Sequence, residues 1–192
     1  MENFTYILES AGTAAIIDPS FGGEKLRDEI DRRRLELKYI FYTHHHFDHV
    51  NDGENLANRY GAETVAHADS PVKKDVSVTH GQKLLIGSEE ITVIHTPGHT
   101  KDSVCYLADG SVFTGDTLFV GECGRVDLPG GSAQEMYASL FRKLARLGDE
   151  TVVYPGHDYG ATPTSTIGRE KRQNYVLAPR TLEQFLEFMS SP

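Results

Sequence analysis

Thr43-His44-His45-His46-Phe47-Asp48-His49 gathers four imidazoles and a carboxylate, a density of polar chemistry found nowhere else in the chain. It follows Leu37 to Tyr42 (LKYIFY), an apolar, aromatic-rich run that reads as a buried strand, so the cluster is expected at a strand's C-terminal end. If the backbone stays extended there, side-chain alternation turns His44 and His46 to one side, where they can share a metal, and sends His45 away. Asp48 and His49, beyond the strand, can turn toward a second position. A run of solvated loop histidines is the competing reading. Four neighbouring imidazoles would repel one another if protonated and unbound, and His-rich tracts are a compositional metal signal.

The flanking segments read as an α/β chain. Phe4 to Leu8 and Thr13 to Ile17, around the polar turn Glu9-Ser10-Ala11-Gly12, predict an opening hairpin that Asp18-Pro19 ends. Glu24 to Leu37 predicts an amphipathic helix, and about Asp52 to Tyr60 a second one stopped by Gly61. Glu63 to Ala66, Lys83 to Ile86 and Glu90 to His95 are strand candidates. Ser103 to Leu107 and Ser111 to Thr114 flank Ala108-Asp109-Gly110, an Asp-Gly hairpin signal. Ser132 with Glu135 forms a capping box that opens a helix to Leu147, and Thr151 to Tyr154 is a last strand. In the tail, Thr181 with Gln184 caps another helix, with Leu182, Phe185, Leu186 and Met189 as its core stripe. Mixed sheets follow from hairpins interleaved with helices.

At 192 residues, with 24% charged and 39% hydrophobic residues, the chain is expected to form one domain over 1–192 with a core of its own. No apolar run is long enough to span a membrane, and MENFTYILES has no basic region before an apolar core, so a cytoplasmic location is expected. A formal charge of −9 disfavours nucleic acid as a partner. Cys105 and Cys123 have neither disulfide nor CxxC spacing.

Three more polar residues each follow a β-run and a tight turn: His99 after Thr96-Pro97-Gly98, Asp116 after Gly115, and His157 after Pro155-Gly156. Any one alone is better read as a loop residue. With His44, His46, Asp48 and His49 they supply nitrogen and oxygen donors for two ions of zinc or iron type, with Asp116 as the natural bridge.

This ordered set resembles the metallo-β-lactamase fold superfamily, whose pattern of HxHxDH followed by a later His, Asp and His is matched at every position. The resemblance implies a four-layer αβ/βα sandwich with two mixed β-sheets and the metals at one edge. It implies His44, His46 and His99 on site one, Asp48, His49 and His157 on site two, Asp116 bridging, and Asp48 and Asp116 as the catalytic carboxylates. Cys123-Gly124-Arg125 and Gly156-His157-Asp158-Tyr159 are similar to the hydroxyacylglutathione hydrolase (glyoxalase II) and persulfide dioxygenase group. Arg125 and Tyr159 are by that resemblance the expected substrate contacts. The glyoxalase II C-terminal helical domain is expected to be absent, since 35 residues, 158 to 192, follow His157. The thiol carrier is therefore open between glutathione and another acyl carrier, for which Arg169, Lys171 and Arg172 could form a docking patch.

The resulting expectation is a thioester hydrolase using two divalent metals, zinc, iron or a mixed pair, on a small-molecule substrate such as an acyl-glutathione. Two ions sharing a hydroxide lower the pKa of bound water to about neutrality, and a thiolate leaves without needing a dedicated acid. The alternative is a persulfide dioxygenase with one Fe(II) on His44, His99 and Asp116. A metal-dependent nuclease is the third choice, disfavoured by the acidic balance.

Overall fold

Period-two alternation sorts the strands' side chains into separate cores. The computed structural model describes residues 2–190. Ala14 and Ile16 of strand β2 (Thr13–Ile17) face outward to helices, while Ala15 and Ile17 face inward to the opposite sheet. Strand β3 (Glu36–Phe41) puts Tyr39 and Phe41 inward and Leu37 and Ile40 outward, the alternation slipping by one residue at Lys38, where its register with β2 shifts. The first sheet runs β1-β2-β3-β4-β5, with β1 (Tyr6–Ser10) antiparallel to β2 and the remaining pairs, through β4 (Glu63–His67) and β5 (Val76–Val78), parallel.

The second large sheet takes β6 (Lys83–Ile86), β7 (Glu89–His95), β8 (Val104–Ala108) and β9 (Ser111–Gly115) as antiparallel neighbours. A short ribbon of β10 (Leu118–Phe119) and β11 (Glu122–Cys123) follows. Then β12 (Val152–Pro155) pairs parallel to β9 and antiparallel to β13 (Ser165–Thr166). Helices α1 (Gly23–Arg33) and α3 (Gly53–Tyr60) cover the outer face of the first sheet, with one-turn α2 (Phe47–Val50) between them in sequence. Helices α4 (Ala133–Tyr137), α5 (Ile167–Gln173) and α6 (Leu182–Ser190) cover the second. The central core lies between the sheets around Phe41, Ile91 and Tyr106, so the four-layer αβ/βα arrangement is as expected. Both predicted hairpins form, with positive φ at Ala11 and Gly12 and at Asp109 and Gly110, the geometry of two-residue primed turns.

Several expectations needed correction. The first helix stops at Arg33 rather than Leu37: Arg34 takes a left-handed conformation (φ 54°) and donates its N–H to Ile30 and Asp31, which releases Leu37 to β3. The helix expected over Ser132 to Leu147 keeps its Ser132 cap but is α-helical only through Tyr137. It continues as a wide π turn at Ala138–Lys143 and a 3-10 turn at Leu144–Arg146. Ser139 Oγ in that turn donates to the Pro97 carbonyl and Lys143 Nζ to the His95 carbonyl, so the irregular stretch is tied to the loop carrying His99. In the tail the Thr181–Gln184 box forms, but Leu186 faces solvent and Phe188 packs beside Phe185 in its place. Strands β5, β10, β11 and β13 were too short to carry a periodic signal.

Candidate metal centre

The polar residues singled out by the sequence all lie just past strand ends on one edge of the sandwich. His44, His46, Asp48 and His49 follow β3, His99 follows β7, Asp116 follows β9, and His157 follows β12. The C-terminal edge of parallel strands is where α/β folds leave a crevice. The backbone does not run extended through the cluster, as the alternation argument required. It bends at Thr43 and His44 and enters α2 at Phe47, which turns Asp48 and His49 inward on a single helical turn. His44 and His46 converge and His45 points elsewhere, its Nδ1 2.7 Å from the buried Asp102 carboxylate.

His46 Nδ1 stands 3.1 Å from His44 Nε2 and 3.0 Å from His99 Nε2. His49 Nε2 and His157 Nε2 are 3.3 Å apart, and Asp48 Oδ2 lies 3.7 and 3.6 Å from them. Asp116 stands between the two groups: Oδ1 is 3.4 Å from His49 Nε2, and Oδ2 is 3.4 Å from His157 Nε2 and 3.6 Å from His99 Nε2. The geometry thus brings together all seven residues named from the sequence.

The ring nitrogens that face away from these meeting points are mostly fixed. His49 Nδ1 donates to Asp18 Oδ2 at 2.9 Å, His99 Nδ1 donates to the Arg125 carbonyl at 2.8 Å, and His44 Nδ1 lies 3.2 Å from the Thr43 hydroxyl. Such bonds set the tautomer so that the opposite nitrogen offers a lone pair inward. Asp18 also accepts from Thr43 N at 2.7 Å and Thr43 Oγ at 2.6 Å, although it is only 2% exposed and has φ 49°. In the sequence Asp18 reads only as a strand terminator, since its signal is no more than a carboxylate after a buried run, and Asn3 and Asp102 carry no local signal at all.

Electrostatics fit a cation here. Burial, then the neighbouring imidazoles, hold His44 well below the ordinary histidine value, and His46 is lowered for the same reasons. Burial also acts to lower His49, but Asp18, Asp116 and Asp48 outweigh it and push His49 up to about 9. Burial raises the Asp116 carboxyl, and the bond to His157 with nearby His49 and His99 more than reverses this, leaving it lowered. Asp116 Oδ1 is buried without a hydrogen-bond partner, and an orphaned carboxylate oxygen among imidazoles calls for a metal. The donors form the sets His44, His46 and His99, then Asp48, His49 and His157, with Asp116 joining His44 and His49; within each set the ligand atoms lie within 4.8 Å of one another. Nitrogens sharing a tetrahedral zinc at 2.0–2.1 Å stand about 3.3 Å apart, close to the spacings found.

The model for the metallo-beta-lactamase superfamily matches residues 2–74 and 68–157. The chain belongs to that superfamily. It is 31% identical to a probable polyketide biosynthesis zinc-dependent hydrolase, PksB, of Bacillus subtilis, over 97% of this chain and 86% of that one. It is 36% identical to the cytoplasmic hydroxyacylglutathione hydrolase of Arabidopsis thaliana over 82% of this chain, but spans only 64% of that protein. Among solved structures, ETHE1 from Myxococcus xanthus superposes with a TM-score of 0.91 and 36% identity, covering all of this chain and 88% of that one. The superfamily relatives and the His/Asp sets together support a dinuclear metal site.

Within this superfamily member, the two expected substrate contacts differ in availability. Tyr159 is 58% exposed and stacks on His157 with ring centroids 4.8 Å apart. The Arg125 guanidinium makes a two-pronged pair with Asp127, both contacts 2.6 Å, while its carbonyl serves His99. Two cations of the suggested docking patch are also engaged: Lys171 pairs with Asp149, and Arg169 bonds Gln173 and Thr162.

Proposed function

We propose that this protein hydrolyses a thioester, an acyl-glutathione or another small acyl-thiol, using two divalent metals of which zinc is the first choice. The observation that supports the reading most is the pair of donor triads meeting at Asp116, with its orphaned buried oxygen. On this proposal His44, His46 and His99 would hold one ion, Asp48, His49 and His157 would hold the other, and Asp116 would serve both. When bound, such ions lower the pKa of water and polarise a carbonyl oxygen.

The protein's own groups orient the reactants. Asp48 and Asp116 are acceptors that can hold the protons of an attacking water. A departing thiolate, reference pKa about 8.5, needs no dedicated acid. Burial, with Asp116 and Asp48 nearby, raises the Tyr159 phenol above its ordinary value, so it stays protonated and able to donate to a substrate oxygen. Phe47, 60% exposed between His46 and Asp48 and edge-on to Phe21, offers an apolar wall. A substrate carboxylate can take the place of Asp127 on Arg125, because exposed ion pairs are weak. A cytoplasmic location belongs to the same proposal. No helix among the described residues is long and apolar enough to cross a membrane.

The full-length likeness to ETHE1 favours a second reading, oxygenation of glutathione persulfide at one iron on His44, His99 and Asp116. The test is metal analysis of protein purified without added metal, alongside S-lactoylglutathione and acyl-coenzyme A hydrolysis and oxygen uptake with glutathione persulfide. Two ions with thioester cleavage support the proposal. One iron with brisk oxygen uptake and no cleavage replaces it.

A further inference from the structure

We propose that Asn3 is a positioning residue that sets the affinity of the second metal position, and thereby whether the centre holds one ion or two. The inference rests on the assignment of Asp48, His49 and His157 to that position.

The two positions are supported differently. At the first, His44 and His99 are anchored by Thr43, itself held by Asp18, and by the Arg125 carbonyl. At the second, His49 has Asp18, but His157 Nδ1 is buried without a partner, and Asp48 sits on a four-residue helix with no side-chain cap. One helical turn is too short to hold itself in place. What grips these two donors is the segment Glu2-Asn3-Phe4. Asn3 Nδ2 donates to Asp48 Oδ2 at 3.0 Å and to the Asp48 carbonyl at 3.1 Å. Because both partners are acceptors, the amide must present its NH2 to them.

The same segment pairs with the His157 loop as an antiparallel bridge between Asn3 and His157. Phe4 N donates to the Gly156 carbonyl and Asp158 N to the Glu2 carbonyl, each at 2.8 Å. Two of the three donors of position two are thus oriented from one short segment. No hydrogen bond among the described residues joins that segment to His44, His46 or His99. Asp48 Oδ2, the oxygen Asn3 holds, is the one nearest His49 and His157 Nε2, so the amide occupies one lone pair and aims the other at their meeting point. Residues that orient a ligand in this way typically change metal affinity 10- to 100-fold when removed.

The experiment uses full-length protein stripped of metal and titrated with Co(II), read by visible absorbance against a competing chelator, for wild type, Asn3→Leu, Asn3→Ala and Asn3→Gln. The expected result is a first binding step unchanged within about twofold and a second step weakened about 10- to 100-fold in the Leu and Ala variants. Asn3→Gln, which keeps the donor, is expected to recover part of the second step. Circular dichroism melting of the metal-free proteins checks that the variants are folded. A second step that stays the same or tightens, or two steps that weaken together, overturns the role of Asn3 while leaving the two-metal assignment standing. A wild type that takes up only one cobalt, with an absorbance that His157→Ala does not alter, overturns the assignment and the inference together.

Discussion

Replacing Asp18 by Ala tests the centre through a residue that is not among the assigned metal ligands. Its carboxylate accepts from Thr43 N, Thr43 Oγ and His49 Nδ1 at 2.7, 2.6 and 2.9 Å while 2% exposed. Hydrogen bonds to a charged group contribute about 1.5–3 kcal/mol each, but three that share one acceptor are not additive. The Thr43 hydroxyl can rotate to another partner, and removing a buried carboxylate relieves its desolvation. The Thr43 N–H has no such escape, and His49 Nδ1–H loses its acceptor unless the ring itself moves. Breaking a buried, hydrogen-bonded charge pair by removing one partner costs about 3–5 kcal/mol. For a chain of this length each kcal/mol lowers Tm by roughly 2–4 °C, so Asp18→Ala is expected to melt roughly 6–20 °C below wild type without metal. Asp18→Asn keeps the shape and one acceptor oxygen, and should fall between. Freed of Asp18, the His49 ring can turn or change tautomer, so the metal it helps hold should bind about 10- to 100-fold more weakly. Calorimetry of the stripped proteins and cobalt titration read the two effects separately. Asp18→Ala melting within about 2 °C of wild type, with both cobalt affinities intact, would refute the account of His49 orientation, because that shift is under one kcal/mol.

Four further outcomes follow from the same geometry. A Cβ at Gly156 would stand 2.5 Å from Asp116 Oδ1 and 3.0 Å from both His49 Cε1 and the Gly115 backbone carbon, so Gly156→Ala should displace the Asp116 carboxylate and abolish tight two-metal binding at some cost in stability, checked by metal analysis and circular dichroism melting. Gly98 has φ 146°, and a Cβ there would lie 2.5 Å from Met136 Cα; since backbone cannot step aside, Gly98→Ala should destabilise by about 2 kcal/mol or more in denaturant unfolding. Tyr106 Oη donates to the Tyr42 carbonyl at 2.8 Å in the central core, so Tyr106→Phe should cost about 1 kcal/mol, leaving that carbonyl unpaired just before the histidine cluster. The Asp75 carboxyl is held below its usual value by the Thr64 N–H and hydroxyl at 2.9 and 2.8 Å. A depressed folded value stabilises above the unfolded pKa and is lost as pH falls through the folded one. Asp75→Asn should therefore melt below wild type at pH 7, and the gap should close under acid conditions below the ordinary aspartate range.

The sandwich was legible where local chemistry and global position agree. Gly12 and Asp109-Gly110 turn as their φ preferences dictate, and the alternation in Thr13–Ile17 and Val104–Ala108 assigns each side chain to the correct layer. Of the seven convergent site residues, four were legible from the density of the cluster after β3, and His99, Asp116 and His157 from each following a β-run and a tight turn. What lay hidden depends on partners far apart in the chain. Nothing near Asn3 says that it meets Asp48, 45 residues on, and Asp18 reads as punctuation until Thr43 and His49 arrive beside it. The left-handed Arg34 and the π turn at Ala138–Lys143 are also set by neighbours rather than by their own residues.

That division bears on how one scaffold can host different chemistries. The donors named by HxHxDH are fixed by strand ends, but how firmly each position grips an ion depends on the groups behind the rings. Position one draws its anchors from Thr43, which Asp18 holds in turn, and from the Arg125 carbonyl, with no bond to the Glu2–Phe4 segment among the described residues. Position two depends on Asp18 and on the Glu2–Phe4 segment, neither of which any ligand motif contains. If nuclearity is set behind the ligands, two chains with identical donors can hold different numbers of ions. Hydrolysis, which uses two, and single-iron oxygenation would then differ by a few kcal/mol at the second position, since a 100-fold change in affinity is about 2.7 kcal/mol. The donor list alone could not choose between them. The cobalt titration of Asn3 and Asp18 variants measures the quantity that does.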